Sequence, residues 1–532
     1  MPRSSADTLF QLIQSLQKGE KRNFKLYIGR NSSNENLKIV ELFDVLDKMS
    51  TYDEALLLSK MEGLRKDQLA NRKAHLYKQI LASLRLLETS DNIDLQLHEQ
   101  IDYARILYNR GLYLQSLKIL DRTKETAKAH NQYSFLVQIL FLEKKIESLH
   151  ITRSLQDRSK QLTAEANDVI KNIALITQLS NLALELYAWY INIGHARNEK
   201  EGQSVTEFFH QSLPAEAVAV TGFYPQLYFC QSYCWYAFIM QDYLMYYRYT
   251  QKWVNLFHTE PLMMEIETAH YIKGMHNLIS AHFDLKNYEK FDTTLQQFET
   301  FAASDTVTQS ENNSIQVFVY LYIAKINRHF LHGTFTEGLV LVPEIIKKLK
   351  EYALYLDRHR VLVFYYKIAS LYFGSGDYEN AIAYLSKIIN WKVDLRNDLQ
   401  CYARLLHLIA HYELGNYDLL EYLVKSVYRF MAKMENLGAV EEQVFKFLQR
   451  SFHLSATQLK PEFEKLLCTL KQYENNRFET RAFAYLDIIS WLESKINNLG
   501  VEDVIATKYR AHKRYGNKEQ SPLSKNETSL KK

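Results

Sequence analysis

The stretch Val361–Trp391, VLVFYYKIASLYFGSGDYENAIAYLSKIINW, holds two helical patterns that meet at a glycine-flanked turn. Tyr365, Ile368, Ala369 and Tyr372 precede Gly374 to Asp377, and Tyr378, Ala381, Leu385 and Ile388 follow it. Spacings of three and four put each set on one helix face. The small Ala369 and Ala381 stand where two antiparallel helices would cross, so the backbones can approach closely while tyrosines fill the flanks.

Outward from this stretch, the same turn-then-aromatic pattern recurs. It gives Tyr113 in RGLYLQSLKIL, Tyr243 in MQDYLMYY, Tyr288 in LKNYEKFDTTL, Phe335 in HGTFTEGLVLV, Tyr378 in SGDYENAIAYL and Tyr417 in LGNYDLLEYL, the last four intervals being 45, 47, 43 and 39 residues. The gap of 130 residues from Tyr113 to Tyr243 is close to three periods and implies two degenerate turns, near Thr152 and near His195 to Gly202. Eight helical hairpins would then cover residues 95 to 430. An aromatic and a small residue in the first helix, then Gly-Asp-Tyr, Ala and a bulky residue in the second, resemble the tetratricopeptide repeat, although Lys392 stands near the place of its closing proline. The period exceeds that family's usual length of about 34, which implies helices of about 17 residues, or about 25 Å. The resemblance implies an all-α fold, a right-handed superhelical solenoid of antiparallel helix hairpins whose groove is lined by the first helix of each pair.

Composition agrees with an elongated helical array. A single core stops growing near about 250 to 300 residues, so 532 residues imply several domains or a repeat. Only 16 Gly and 7 Pro leave little to punctuate sheets, while 37 Tyr and 27 Phe supply ample core. We read residues 1–90 as an N-terminal helical region, 91–430 as the repeat array, 431–500 as helices capping it, and 501–532 as a basic, disordered tail. Pro461 is read as a first-turn proline, and the polar run Ala302 to Ser314 as a surface loop or flexible joint.

Formal charge is +4, but Lys508 to Lys532 carry eight Lys or Arg against two Glu, which leaves the rest near neutral. A solvated end is the plain reading of such a tail, and a contact with nucleic acid or an acidic partner the other. In the N-terminal region Leu69, Leu76, Ile80, Leu84 and Leu87 form an apolar stripe on a helix decorated by Arg65, Lys66, Arg72, Lys73, Lys78 and Arg85. A helix-turn-helix over Leu57 to Arg72 is a poor match, because Glu62 and Arg72 fall where that motif buries apolar residues. Four cysteines, Cys230, Cys234, Cys401 and Cys468, point to a reduced compartment. With no secretory signal and no stretch apolar and long enough to span a bilayer, the expectation is a cytoplasmic protein without a membrane partner.

No sequence motif of catalysis is found, and neither cofactor nor metal is expected. His407 and His411 lie one turn apart but lack a third ligand nearby, so packing is their plain role. The aromatic run Tyr228, Phe229, Tyr233, Trp235, Tyr236 and Phe238 is read as core. Transferring the resembled family's groove pattern picks Lys273, His276, Asn277 and Ser280 from one repeat, Asn327 from the next, and Tyr366, Lys367 and Ser370 from the best repeat. In related repeats such Lys and Asn side chains hold an extended peptide or its terminal carboxylate, but no adjacent pair of repeats here carries the complete set. The expected function is a non-catalytic scaffold for a protein or peptide partner. The alternative is a peptide-responsive regulator with an N-terminal output region; a nucleic-acid-associated repeat protein comes last.

Overall fold

The computed structural model describes residues 7–29, 34–61, 64–88, 92–150, 156–391, 397–434, 437–451, 454–474, 476, 478–479 and 487–519. Among these residues the secondary structure is helical, with no strand. Helices of 17 residues recur, as the period implied: Ile93–Asn109, Tyr113–Ala129, Phe223–Ile239, Tyr243–Thr259, Thr268–Asp284, Arg358–Gly374, Asn397–Glu413 and Tyr417–Lys433. Neighbours in sequence pack on one another, which is compatible with a helical-repeat fold.

One turn form joins the helices. Gly111, Asn131, Gln241, Lys286, Gly333, Gly376 and Gly415 all have positive φ, between 51° and 86°, and each is followed two residues later by the aromatic that opens the next helix. The amide after each of them bonds back five residues, as Asp242 N to Ala237 O at 2.9 Å and Asp377 N to Tyr372 O at 2.9 Å, closing the helix end as a Schellman motif. Tyr133 after Asn131 opens a further repeat of this form, one not among the six aromatics that mark turns in the sequence. The degenerate turn expected near Thr152 lies outside the described residues. The one near His195 corresponds to the break between Gln156–Ile193 and Glu199–Ser212. Lys286 holds the left-handed conformation without being glycine, at a cost of roughly 1 kcal/mol or more. Lys286→Gly is therefore expected to raise stability by about 0.5–1 kcal/mol, read as a higher denaturation midpoint with unchanged slope; a lower midpoint would contradict this reading of the turn.

The chain divides into two compact units, residues 1–170 and 171–532. The boundary expected near residue 90 falls inside the first. In that unit, Thr8–Ser15, Lys18–Gly29, Asn34–Asp47, Glu54–Lys60 and Lys66–Glu88 share a core of Leu9, Ile13, Phe24, Phe43, Leu76 and Ile80. The stripe on Lys66–Glu88 is buried at Leu69, Leu76 and Ile80 but exposed at Leu87. Asp7 caps the first helix through the amides of Leu9 and Phe10 and pairs with Lys73. The turn of the suggested helix-turn-helix, at residues 62–63, lies outside the described residues. Farther along, Lys124 from Tyr113–Ala129 and Glu143 from Tyr133–His150 form a buried ion pair, 3 % and 0 % exposed, with Nζ 2.9 and 3.0 Å from the two carboxylate oxygens.

In the second unit the crossing alanines Ala369 and Ala381 are fully buried. Gly374 lies against the Phe335 ring, where a Cβ would stand 2.1 Å from a ring carbon. The aromatic that opens one hairpin's second helix is thus seated on the first helix of the next. The run expected as a loop, Ala302 to Ser314, is instead a compact connector. It contains the short helix Asp305–Thr308, buries Val307, and is tied by Ser314 Oγ to Val307 O at 2.9 Å and Asn313 Nδ2 to Thr306 O at 3.0 Å.

Pro461 is not in a first turn. Ser455 and Gln458 form a capping box that starts the helix Ala456–Lys471 five residues before it. The basic segment also departs from expectation: Val501–Glu519 is a helix, with Val501, Val504 and Ile505 buried. Its Glu502 accepts from Thr336 N at 3.1 Å and from Thr336 Oγ1 at 2.5 Å, and its Tyr509 stacks on His332 at 4.3 Å. The apolar spacing of 501, 504, 505 and 509 precedes the charged end and gives the helix a face to bury. Residues 520–532 lie outside the described residues.

Candidate functional site

Three first helices of successive hairpins, Thr268–Asp284, Glu311–His332 and Arg358–Gly374, bring four of the eight expected residues, Lys273, His276, Asn327 and Lys367, into one cluster. Its hub is Tyr320. The His276 ring stacks on it with centroids 4.3 Å apart, the Lys273 ammonium lies 5.0 Å from its centre, and the Arg360 guanidinium lies 5.7 Å away. Lys273 also faces Trp235 at 5.9 Å. Deeper in, Lys367 donates to Asn327 Oδ1 at 2.7 Å and lies over Phe330 and Phe283 at 5.1 and 5.6 Å.

The charge balance of the cluster is uneven. Burial pulls Lys367 down to about 8 against the attraction of Asp284, and pushes Asp284 up to about 7 against the attraction of Lys367. Burial, then the positive charges of Lys273, Lys367 and Arg360, hold His276 well below the ordinary histidine value, so that it is neutral at pH 7. Arg360 has Asp357 one turn away at 3.5 Å, a pair with an exposed carboxylate. Lys273 shows ring faces as its neighbours and forms no ion pair or side-chain hydrogen bond among the described residues. Positive charge therefore accumulates on half-buried aromatic surface.

The other expected residues sit differently. Asn277 is buried, 6 % exposed, and Asn327 equally so, its amide oxygen committed to Lys367. Tyr366 is buried, its hydroxyl pushed up by burial and then by Asp398. Ser280 and Ser370 donate to the carbonyls of His276 and Tyr366 in their own helices, at 2.9 and 3.0 Å. Tyr320 and Arg360 were not among the expected residues. A signal for them exists: they precede Asn327 and Lys367 by seven residues, two helical turns, and so share their faces.

Neither protein-family models nor curated proteins give a match to this chain.

The remaining sequence candidates are packed. Tyr233 stacks on Tyr249 at 4.1 Å and Tyr236 on Phe209 at 4.3 Å. His407 and His411 meet edge to face at 4.5 Å; burial, then His411 and Arg404, lower His407 to about 4. Among the described residues no group of three or more His, Cys, Asp or Glu could hold a metal ion, and no helix is long and apolar enough to cross a membrane.

Proposed function

We propose that this is a non-catalytic helical-repeat protein of tetratricopeptide type that binds a protein or peptide partner through the face carrying Lys273, Tyr320 and Arg360. The observation that carries the reading is that successive first helices present half-buried cations on aromatic rings, with Lys273 held by no carboxylate among the described residues. Such a surface gains from a partner that supplies acceptors and apolar contact together. The repeated turn form and the interlock of Phe335 with Gly374 support a rigid scaffold for that surface. The four free cysteines, three of them buried, agree with the reduced compartment that a cytoplasmic protein would occupy.

Asn277 and Lys367 belong to the packing, so replacing them would test folding as much as binding. The cleaner test adds bulk on the same helix faces. Ser280→Trp and Ser370→Trp add bulk without charge and remove one intrahelical hydroxyl bond each. Together they are expected to weaken a partner captured with the unaltered protein by at least about tenfold, or about 1.4 kcal/mol, at unchanged melting temperature. Unaltered affinity would move the site off this face.

A further inference from the structure

The excess of positive charge around Tyr320 narrows the class of partner, and the inference rests on the binding role just proposed. Two cations share one ring: Lys273 at 5.0 Å and Arg360 at 5.7 Å from its centre, each half-buried. A ring face attracts one cation by about 0.5–2 kcal/mol, and it does not neutralise two. The histidine stacked on the same ring contributes no compensating charge. Of the carboxylates nearby, Asp284 faces Lys367, and Asp357 pairs with Arg360 from its own first turn, leaving Lys273 unmatched.

Arg360 also brings a planar fork of donors, suited to a bidentate oxyanion, while Lys273 is a point charge that follows it. The asparagines that would hold a peptide's terminal carboxylate are withdrawn, Asn277 by burial and Asn327 by its bond to Lys367. Recognition therefore falls to the two cations and the aromatic surface between them.

We propose that Lys273 and Arg360, set over Tyr320, receive an anionic side chain of an acidic peptide segment, a carboxylate or a phosphoryl group. The rings of Tyr320 and Trp235 take the apolar part of the same segment. Ligand charge sets the affinity, which falls as salt screens the exposed half of the site.

The test uses the full chain and labelled hexaglutamate, with hexaglutamine as the neutral control and a glutamine peptide bearing one phosphoserine as the second arm. Hexaglutamate is expected to bind more tightly than hexaglutamine, and more weakly in high salt. Lys273→Ala with Arg360→Ala should weaken it at least tenfold, whereas Arg360→Lys should retain part of the affinity and so show that charge, not folding, is lost. If the phosphoserine peptide binds more tightly than hexaglutamate, the group received is phosphoryl; the opposite order makes it carboxylate. Equal binding of hexaglutamate and hexaglutamine overturns the proposal, as does a double variant that binds like the unaltered protein. A single-stranded oligonucleotide that outcompetes both peptides overturns the peptide assignment. Loss of a captured partner in the Ser280→Trp, Ser370→Trp protein but not in the Lys273→Ala, Arg360→Ala protein would leave the binding role standing and remove the anionic group from it.

Discussion

Lys124→Met is expected to lower stability by about 3 kcal/mol or more, seen as a fall in the melting temperature of the unit formed by residues 1–170. The ammonium is 3 % exposed and lies between Glu143, fully buried at 2.9 Å, and Glu165 at 3.3 Å. Removing one partner of such a pair leaves an uncompensated buried charge, and that penalty is typically about 3–5 kcal/mol. Arg158 reaches Glu143 at 3.3 Å but is shared with Asp121 at 3.2 Å, so it replaces Lys124 only in part. The double replacement Lys124→Met, Glu143→Leu should recover most of the loss, because two apolar groups of similar volume need no charge partner. A single variant as stable as the unaltered protein would show that water reaches the pair.

The loss should depend on pH in a definite direction. Burial raises Glu143 above its ordinary value of 4.5, and Lys124, then Arg158, pull it back without cancelling the shift. A carboxyl raised in the folded state favours folding while protonated, and the penalty opens as pH climbs above the unfolded value. Without Lys124 the shift grows. The single variant should therefore lie closest to the unaltered protein in acid, below about pH 4, and farthest from it at neutral pH.

Helix content and period were legible because aromatic residues mark the start of second helices and spacings of three and four mark their buried faces. The turn residue itself varies. Gly111, Gly333, Gly376 and Gly415 advertise a left-handed position, whereas Asn131 and Lys286 adopt it without being glycine. Tyr243 and Tyr288 mark their hairpins after Gln241 and Lys286 all the same, and the hairpin opened by Tyr133 is the one passed over. The candidate site was half legible. Lys273, His276, Asn327 and Lys367 do come together, but Asn277 and Tyr366 share their helices and point into the core. One sequence supplies helical periodicity; it does not supply the angle at which a neighbouring helix covers a face. The seven-residue offset places Tyr320 and Arg360 on the faces of Asn327 and Lys367, but that they meet is visible only when the helices are seen side by side.

Removing the helix Val501–Glu519 should destabilise the second unit by several kcal/mol, contrary to the reading of residues 501–532 as a disordered tail. Val501, Val504 and Ile505 are each at most 8 % exposed, and burying a side chain of this kind contributes about 1.5–3 kcal/mol. The helix is also fixed by polar contacts: Lys508 reaches Ser490 at 2.8 Å and Glu493 at 2.7 Å, while Tyr509 and His512 pack on Tyr288 at 5.1 and 4.8 Å. A chain ending at Gly500 should melt several degrees lower, and one ending at Thr507, which loses Lys508, Tyr509 and His512, should fall between.

Gly333 isolates the contact from the deletion. A Cβ there would stand 2.3 Å from Ala506 N and 2.7 Å from Glu502 O, backbone atoms that cannot turn aside as a side chain could. Its φ of 65° adds a second cost, roughly 1–2 kcal/mol for any residue with a Cβ. Introducing Gly333→Ala in both the full chain and the chain ending at Gly500 separates the two, since only the backbone cost survives where the helix is gone. The expected result is a clearly larger loss in the full chain. Equal losses in both would show that the helix does not rest on Gly333, and that the basic end of the molecule is held elsewhere.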